Sequence, residues 1–83
     1  MSAKEAYEKI MSRHPGLKVI KAYEYDSLFV FTVVSETSAI KDPNRLIDRM
    51  RSVDKKTGMI RDFKPFYISV EEYRNGREIT NYK

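Results

Sequence analysis

Leu28 to Val34, LFVFTVV, leaves this chain the fewest options. Side chains alternate across a strand, and here both alternating sets are apolar and rich in β-formers. Such a strand belongs at the centre of a sheet, with at least one face covered by another layer. Leu17–Asp26 precedes it as a second strand, and the short Asp26-Ser27 connection makes the two an antiparallel hairpin. Strict alternation along the first strand puts Val19, Lys21, Tyr23 and Tyr25 on one face. The two tyrosines there suit cross-strand packing better than stacking on a ligand ring.

The covering layer is signalled at the N-terminus. Ser2 followed by Glu5 forms a capping box, and Ala3, Ala6, Tyr7, Ile10 and Met11 recur as one apolar stripe. His14-Pro15-Gly16 ends that helix, because proline disfavours helical geometry at the residue before it. A polar connector, Ser35–Asn44, follows the hairpin. Asp42-Pro43 signals one or two helical turns near 43–48, followed by a strand through about Val53. Ser69 and Glu72 repeat the capping box and predict a C-terminal helix over roughly 69–80. Val70, Tyr73, Arg77 and Ile79–Thr80 give it only a thin apolar face, and Gly76 weakens it by about 1 kcal/mol relative to alanine.

Between these elements lies SVDKKTGMIRDFKPF, residues 52–66, which predicts its own register. Pairing Val53 with Met59 would set Arg51 against Arg61 and Met50 against Asp62. A shift of one brings Val53 to Ile60, Arg51 to Asp62 and Met50 to Phe63, matching opposite charges and apolar pairs, each worth roughly 0.2–1 kcal/mol. Lys55-Lys56-Thr57-Gly58 is then a four-residue loop. Asp54 accepts from its amides, and Gly58 takes the left-handed conformation at its end.

The chemistry is bounded by what 83 residues contain. There is no cysteine, so neither a disulfide nor a thiolate metal site is available, and there is a single histidine, His14. No local motif supplies a nucleophile–base pair, a phosphate-binding glycine loop or a calcium loop. The chain is expected to be no enzyme, without catalytic, cofactor or metal residues. The charged start lacks a secretory h-region, and the longest apolar run is too short to span a membrane, so a cytoplasmic location is expected.

Residues 41–64 carry eight basic and four acidic side chains, the whole of the +4 net charge. Lys41, Arg45, Arg49, Arg51, Lys55, Lys56, Arg61 and Lys64 would attract phosphates if they shared a face, with Phe63, Phe66 and Tyr67 as stacking groups. Asp48, Asp54 and Asp62 interrupt that stripe. Alternation also sends Met59, Arg61 and Phe63 to one face and Ile60 and Asp62 to the other.

His14-Pro15-Gly16, Phe29-Val30-Phe31, Val53–Gly58 and Phe63-Lys64-Pro65-Phe66 together carry a resemblance over most of the chain. The V-D-x-x-T-G-x-I pattern after a helix and hairpin looks like the end of a PepSY-type domain. It resembles still more the small uncharacterised proteins of phages and prophages of Gram-positive bacteria. The motifs are turn and core residues, so the likeness implies a fold and an accessory role, in the host cytoplasm or on the virion, and no activity that attaches to residues.

The expected fold is a single α+β domain over residues 1–83. It comprises an N-terminal helix, an antiparallel sheet of about four strands and a C-terminal helix, with the helices on one face. The expected function is non-enzymatic, through contacts with a protein partner or a second copy. The candidate interaction surface is Lys55, Lys56, Lys64, Phe66 and Tyr67, with the outer face of the last helix. The alternative is a nucleic-acid-binding module using the basic 41–64 segment.

Overall fold

The computed structural model describes residues 1–35 and 49–82, and for Ser35, Arg49 and Pro65 the backbone only. The elements are α1 (Ala3–Arg13), β1 (Leu17–Glu24), β2 (Leu28–Ser35), β3 (Arg49–Asp54), β4 (Ile60–Asp62), a 3-10 turn (Pro65–Tyr67), α2 (Val70–Arg74) and β5 (Arg77–Ile79). The strands form one antiparallel sheet in the order β4-β3-β2-β1-β5, with β2 at its centre. The expected helical turns near 43–48 lie outside the described residues.

The two-sided apolarity of β2 sets the layering. Phe29, Phe31 and Val33 join Ala6 and Ile10 of α1, Val19, Ala22, Val53 and Tyr82 in one buried cluster. Leu28 and Val30, on the opposite face, form a second cluster with Tyr25 and Phe63. The α+β class and the helix–sheet–helix plan are as expected, with two differences. The sheet has five strands rather than about four. The helices also do not share a face: α1 covers the first cluster, whereas Tyr73 of α2 stacks on Tyr25 of the second. Both faces of β2 need cover, and two layers supply it.

The ends of α1 behave as its sequence requires. Ser2 caps the helix by accepting from the Glu5 amide at 3.2 Å, and the His14 amide closes it on the Ile10 carbonyl at 2.9 Å. In β1, Val19 pairs with Val33 but Lys21 pairs with Thr32, so Ile20 is an unpaired bulge residue. The bulge reverses the alternation. Val19 therefore faces the α1 cluster, while Lys21, Tyr23 and Tyr25 face the other way, correcting the expectation that all four share a face.

The β3–β4 hairpin has the expected register: Val53 faces Ile60, Arg51 faces Asp62, and the Phe63 amide donates to the Met50 carbonyl at 2.9 Å. Asp54 Oδ1 accepts from the amides of Lys56 (2.7 Å) and Thr57 (2.9 Å). Gly58 has φ +72°, which a side-chain-bearing residue adopts only at a cost. Gly58→Ala should therefore lose about 1–2 kcal/mol of stability in chemical denaturation. No measurable loss would show that the loop closes without a left-handed residue.

The predicted helix over 69–80 is shorter than its pattern suggested. Ser69 caps α2 as expected, accepting from the Glu72 amide at 3.1 Å. The Glu72 carboxylate turns instead to the β1–β2 turn, where the Ser27 amide and hydroxyl donate to it at 2.9 and 2.6 Å. Helix α2 stops at Arg74, and Arg77–Ile79 pair with Ala22–Glu24 as β5. Gly76 permits that change of direction, because a Cβ there would overlap the Tyr25 ring. The chain then returns to the α1 side. Tyr82, 7% exposed, packs between Tyr7 and Phe31 at ring separations of 5.3 and 5.8 Å.

Candidate interaction surface

The basic stripe does not survive folding as a stripe. Arg51 lies on the α1 side and pairs with Asp62 at 2.9 Å, with its Nε buried and unpartnered. Lys55 leaves the hairpin loop, passes 4.9 Å from the centre of the Phe29 ring and binds Glu24 at 3.0 Å. Arg77 reaches the other oxygen of Glu24 at 2.8 Å from β5. Of the loop's two lysines, only Lys56 stays exposed at the tip. Arg61 is on the opposite face, over Tyr67 at 4.5 Å. Lys41, Arg45 and the Arg49 side chain lie outside the described residues.

Glu24 is thus held between two cations from distant parts of the chain. Hydrogen bonding to Arg77, and next to Lys55, holds its carboxyl below the ordinary 4.5. A carboxyl held low in the folded state binds fewer protons than in the unfolded chain. Its stabilisation is present above 4.5 and is lost as pH falls through the folded value. The amides of Thr57 and Lys56 lower Asp54 in the same direction. Glu24→Gln should therefore flatten part, and only part, of the acid loss of thermal stability. An acid profile identical to wild type would show that the bracket contributes nothing.

The five residues of the expected surface consequently divide. Lys55 is committed to Glu24, and Lys56 stands alone at the tip. Lys64, Phe66 and Tyr67 fall in one stretch with Arg61, and Phe66 meets Tyr67 edge-on at 5.0 Å. That stretch continues into α2. Phe66 is 78% exposed, Val70 69%, Tyr73 50% and Tyr67 39%. Val70 and Tyr73 are three apart on α2 and so share a side of the helix. The inner side of Tyr73 extends a column of near-parallel rings, Phe63–Tyr25 at 6.0 Å and Tyr25–Tyr73 at 5.9 Å. The column and the Ser27–Glu72 bonds hold the stretch to the sheet while its outer apolar groups meet solvent. Val70 and Tyr73 were legible as a thin apolar face, but their exposure was not, because a thin stripe normally marks the buried side.

Other concave regions offer less. An open depression of about 920 Å³ between α1 and β4 is lined by side chains of both signs, among them Glu5, Glu8, Lys9 and Arg13. Lys9 spans part of it by donating to the Gly58 carbonyl at 3.2 Å. A smaller polar one holds Glu24, Lys55 and Arg77. Among the described residues no group of three His, Cys, Asp or Glu gathers as metal ligands would, and no helix is long and apolar enough to cross a membrane. No protein-family model, curated protein or solved structure matches the chain.

Proposed function

We propose that this chain is a non-enzymatic accessory protein of phage or prophage type, acting in the cytoplasm through contacts with another protein. The observation that carries the reading is the ridge of Phe66, Tyr67, Val70 and Tyr73, large apolar groups exposed on one stretch that is anchored from beneath. Exposed apolar patches rimmed by polar residues are characteristic of interaction sites. The motif likeness to small phage proteins supports the accessory role.

Phe66→Glu with Val70→Glu tests the reading. Both side chains are mostly in solvent, so stability should move by no more than about 0.5 kcal/mol. Tagged wild type, recovered from the cells that make it, should retain a stoichiometric protein that the double variant loses. Equal recovery by both would sink the assignment of the ridge. A nucleic-acid-binding role is the second reading, favoured by Arg61 over Tyr67 beside Lys64 and the open Phe66 ring. Salt-sensitive binding of a single-stranded oligonucleotide, lost on Phe66→Ala, would support it.

A further inference from the structure

Of the chain's three asparagines, only Asn75 precedes a glycine. Such a pair has a reaction of its own, because the glycine carries no side chain to shield its amide. The Gly76 nitrogen, once deprotonated, attacks the side-chain carbonyl carbon of Asn75. The new N–Cγ bond closes a succinimide, and the side-chain nitrogen leaves as ammonia. Water then opens the imide at either carbonyl. The product is aspartate, or isoaspartate in which the main chain runs through Cβ.

The fold decides when this can happen. Asn75 is exposed, and with φ −86° and ψ 0° it closes α2 by donating to the Glu71 carbonyl at 3.1 Å. Ring closure needs Cβ and the Gly76 nitrogen eclipsed about the Cα–C bond. At ψ 0° the Asn75 nitrogen holds that place, and Cβ stands well away on its tetrahedral carbon. Reaching the reactive torsion therefore swings the whole Gly76 peptide. Gly76 is seated against the Tyr25 ring, and the three residues after it pair with Ala22–Glu24. The closed junction is thus unreactive, and the reaction waits for β5 to lift. The hold on β5 is slight. It is a three-residue strand, last in the sheet order, with Arg77 and Glu78 exposed. The Gly76 amide reaches the Tyr73 carbonyl only at 3.4 Å. A segment held so lightly opens locally, more often than the domain unfolds.

We infer that Asn75 is a deamidation site controlled by local opening of β5, and that its reaction is a one-way switch. Asn75 lines the small polar hollow with Glu24, Asp26, Lys55 and Arg77, so its conversion adds a third carboxylate to two. Isoaspartate also lengthens the main chain directly before Gly76, where the Tyr25 ring leaves no space even for a Cβ. The product cannot seat β5 as before, and Ala22–Glu24 become an open strand edge.

Ageing the full chain in mildly alkaline buffer, with digestion and mass spectrometry at intervals, tests this against a free peptide of residues 71–80. Asn75 should convert about ten- to a hundredfold faster in the peptide than in the folded protein, and unfolding urea should remove most of that difference. Ile79→Ala trims the partly buried side chain that holds β5 to the α1 core. It should speed conversion in the protein by about fivefold and leave the rate of a peptide with the same change as it was. Hydrogen exchange on the converted fraction should show lost protection over Arg77–Ile79. Conversion in the folded protein at the peptide's rate, or an Ile79→Ala rate equal to wild type, would overturn control by β5. No conversion in either folded protein while the peptide is consumed would overturn the site itself. A converted fraction with β5 still protected would overturn the switch.

Discussion

Phe31→Ala is expected to remove a third or more of the protein's stability. Phe31 is fully buried at the middle of the central strand, paired with Ala22 on one side and Arg51 on the other. Its ring meets Tyr7 of α1 at 6.4 Å and Tyr82 at 5.8 Å, so it joins the helix, the sheet and the C-terminal return. Truncating a buried phenylalanine costs about 3–5 kcal/mol. The whole domain is stable by only about 4–12 kcal/mol at the usual contribution per residue. Urea unfolding should show a midpoint lowered by a third or more, about the ratio of those two ranges. A loss below about 1 kcal/mol would mean that neighbouring groups collapse into the space and that the cluster is not organised around this ring.

Gly76→Ala is the second large effect, with a different cause. A Cβ at Gly76 would overlap Cε1 and Cδ1 of Tyr25, a ring held between Phe63 and Tyr73. Because that ring cannot yield without breaking the column, overpacking of about 1–3 kcal/mol is expected. Melting should fall by roughly 4–8 °C per kcal/mol in a domain of this size. Combination with Tyr25→Ala separates this from a helix-propensity effect. With the ring removed, Gly76→Ala should become nearly neutral, giving strong non-additivity between the two positions. If the two losses simply add, the close approach is not what requires glycine here.

The legible parts of this fold were those decided by neighbours in sequence. The β3–β4 register followed from Arg51, Asp62, Val53 and Ile60, because one offset matches their chemistry and the other does not. The loop followed from Asp54 and Gly58, and the central place of β2 from LFVFTVV. What escaped depends on partners brought together only by folding. Nothing near Gly76 reveals that Tyr25 will lie against it, so a helix running through to residue 80 was the natural reading. Lys55 looked free because Glu24, which holds it, is 31 residues away. Of the candidate surface, Phe66 could as readily have plugged the core edge where the sheet meets the last helix, and only the exposure of Lys64 was legible. The opposite placement of α1 and α2 was not, since a thin apolar face does not say which side of a sheet it will meet.

The bulge at Ile20 bears on which changes this chain can tolerate. The residue pairs with nothing across the hairpin and is nearly half exposed, so its chemical character is weakly constrained. It is the extra residue between Leu17 and Val19, which serve the α1 core, and Ala22, which serves it too. Without Ile20 the strand would alternate regularly, with Val19, Lys21, Ala22 and Tyr23 meeting Val33, Thr32, Phe31 and Val30 as they do now. Pairing Ile20 in line would instead send one end of the strand to the wrong layer. The position is therefore permissive both to substitution and to deletion, and what the fold requires of it is only that it stay out of the ladder.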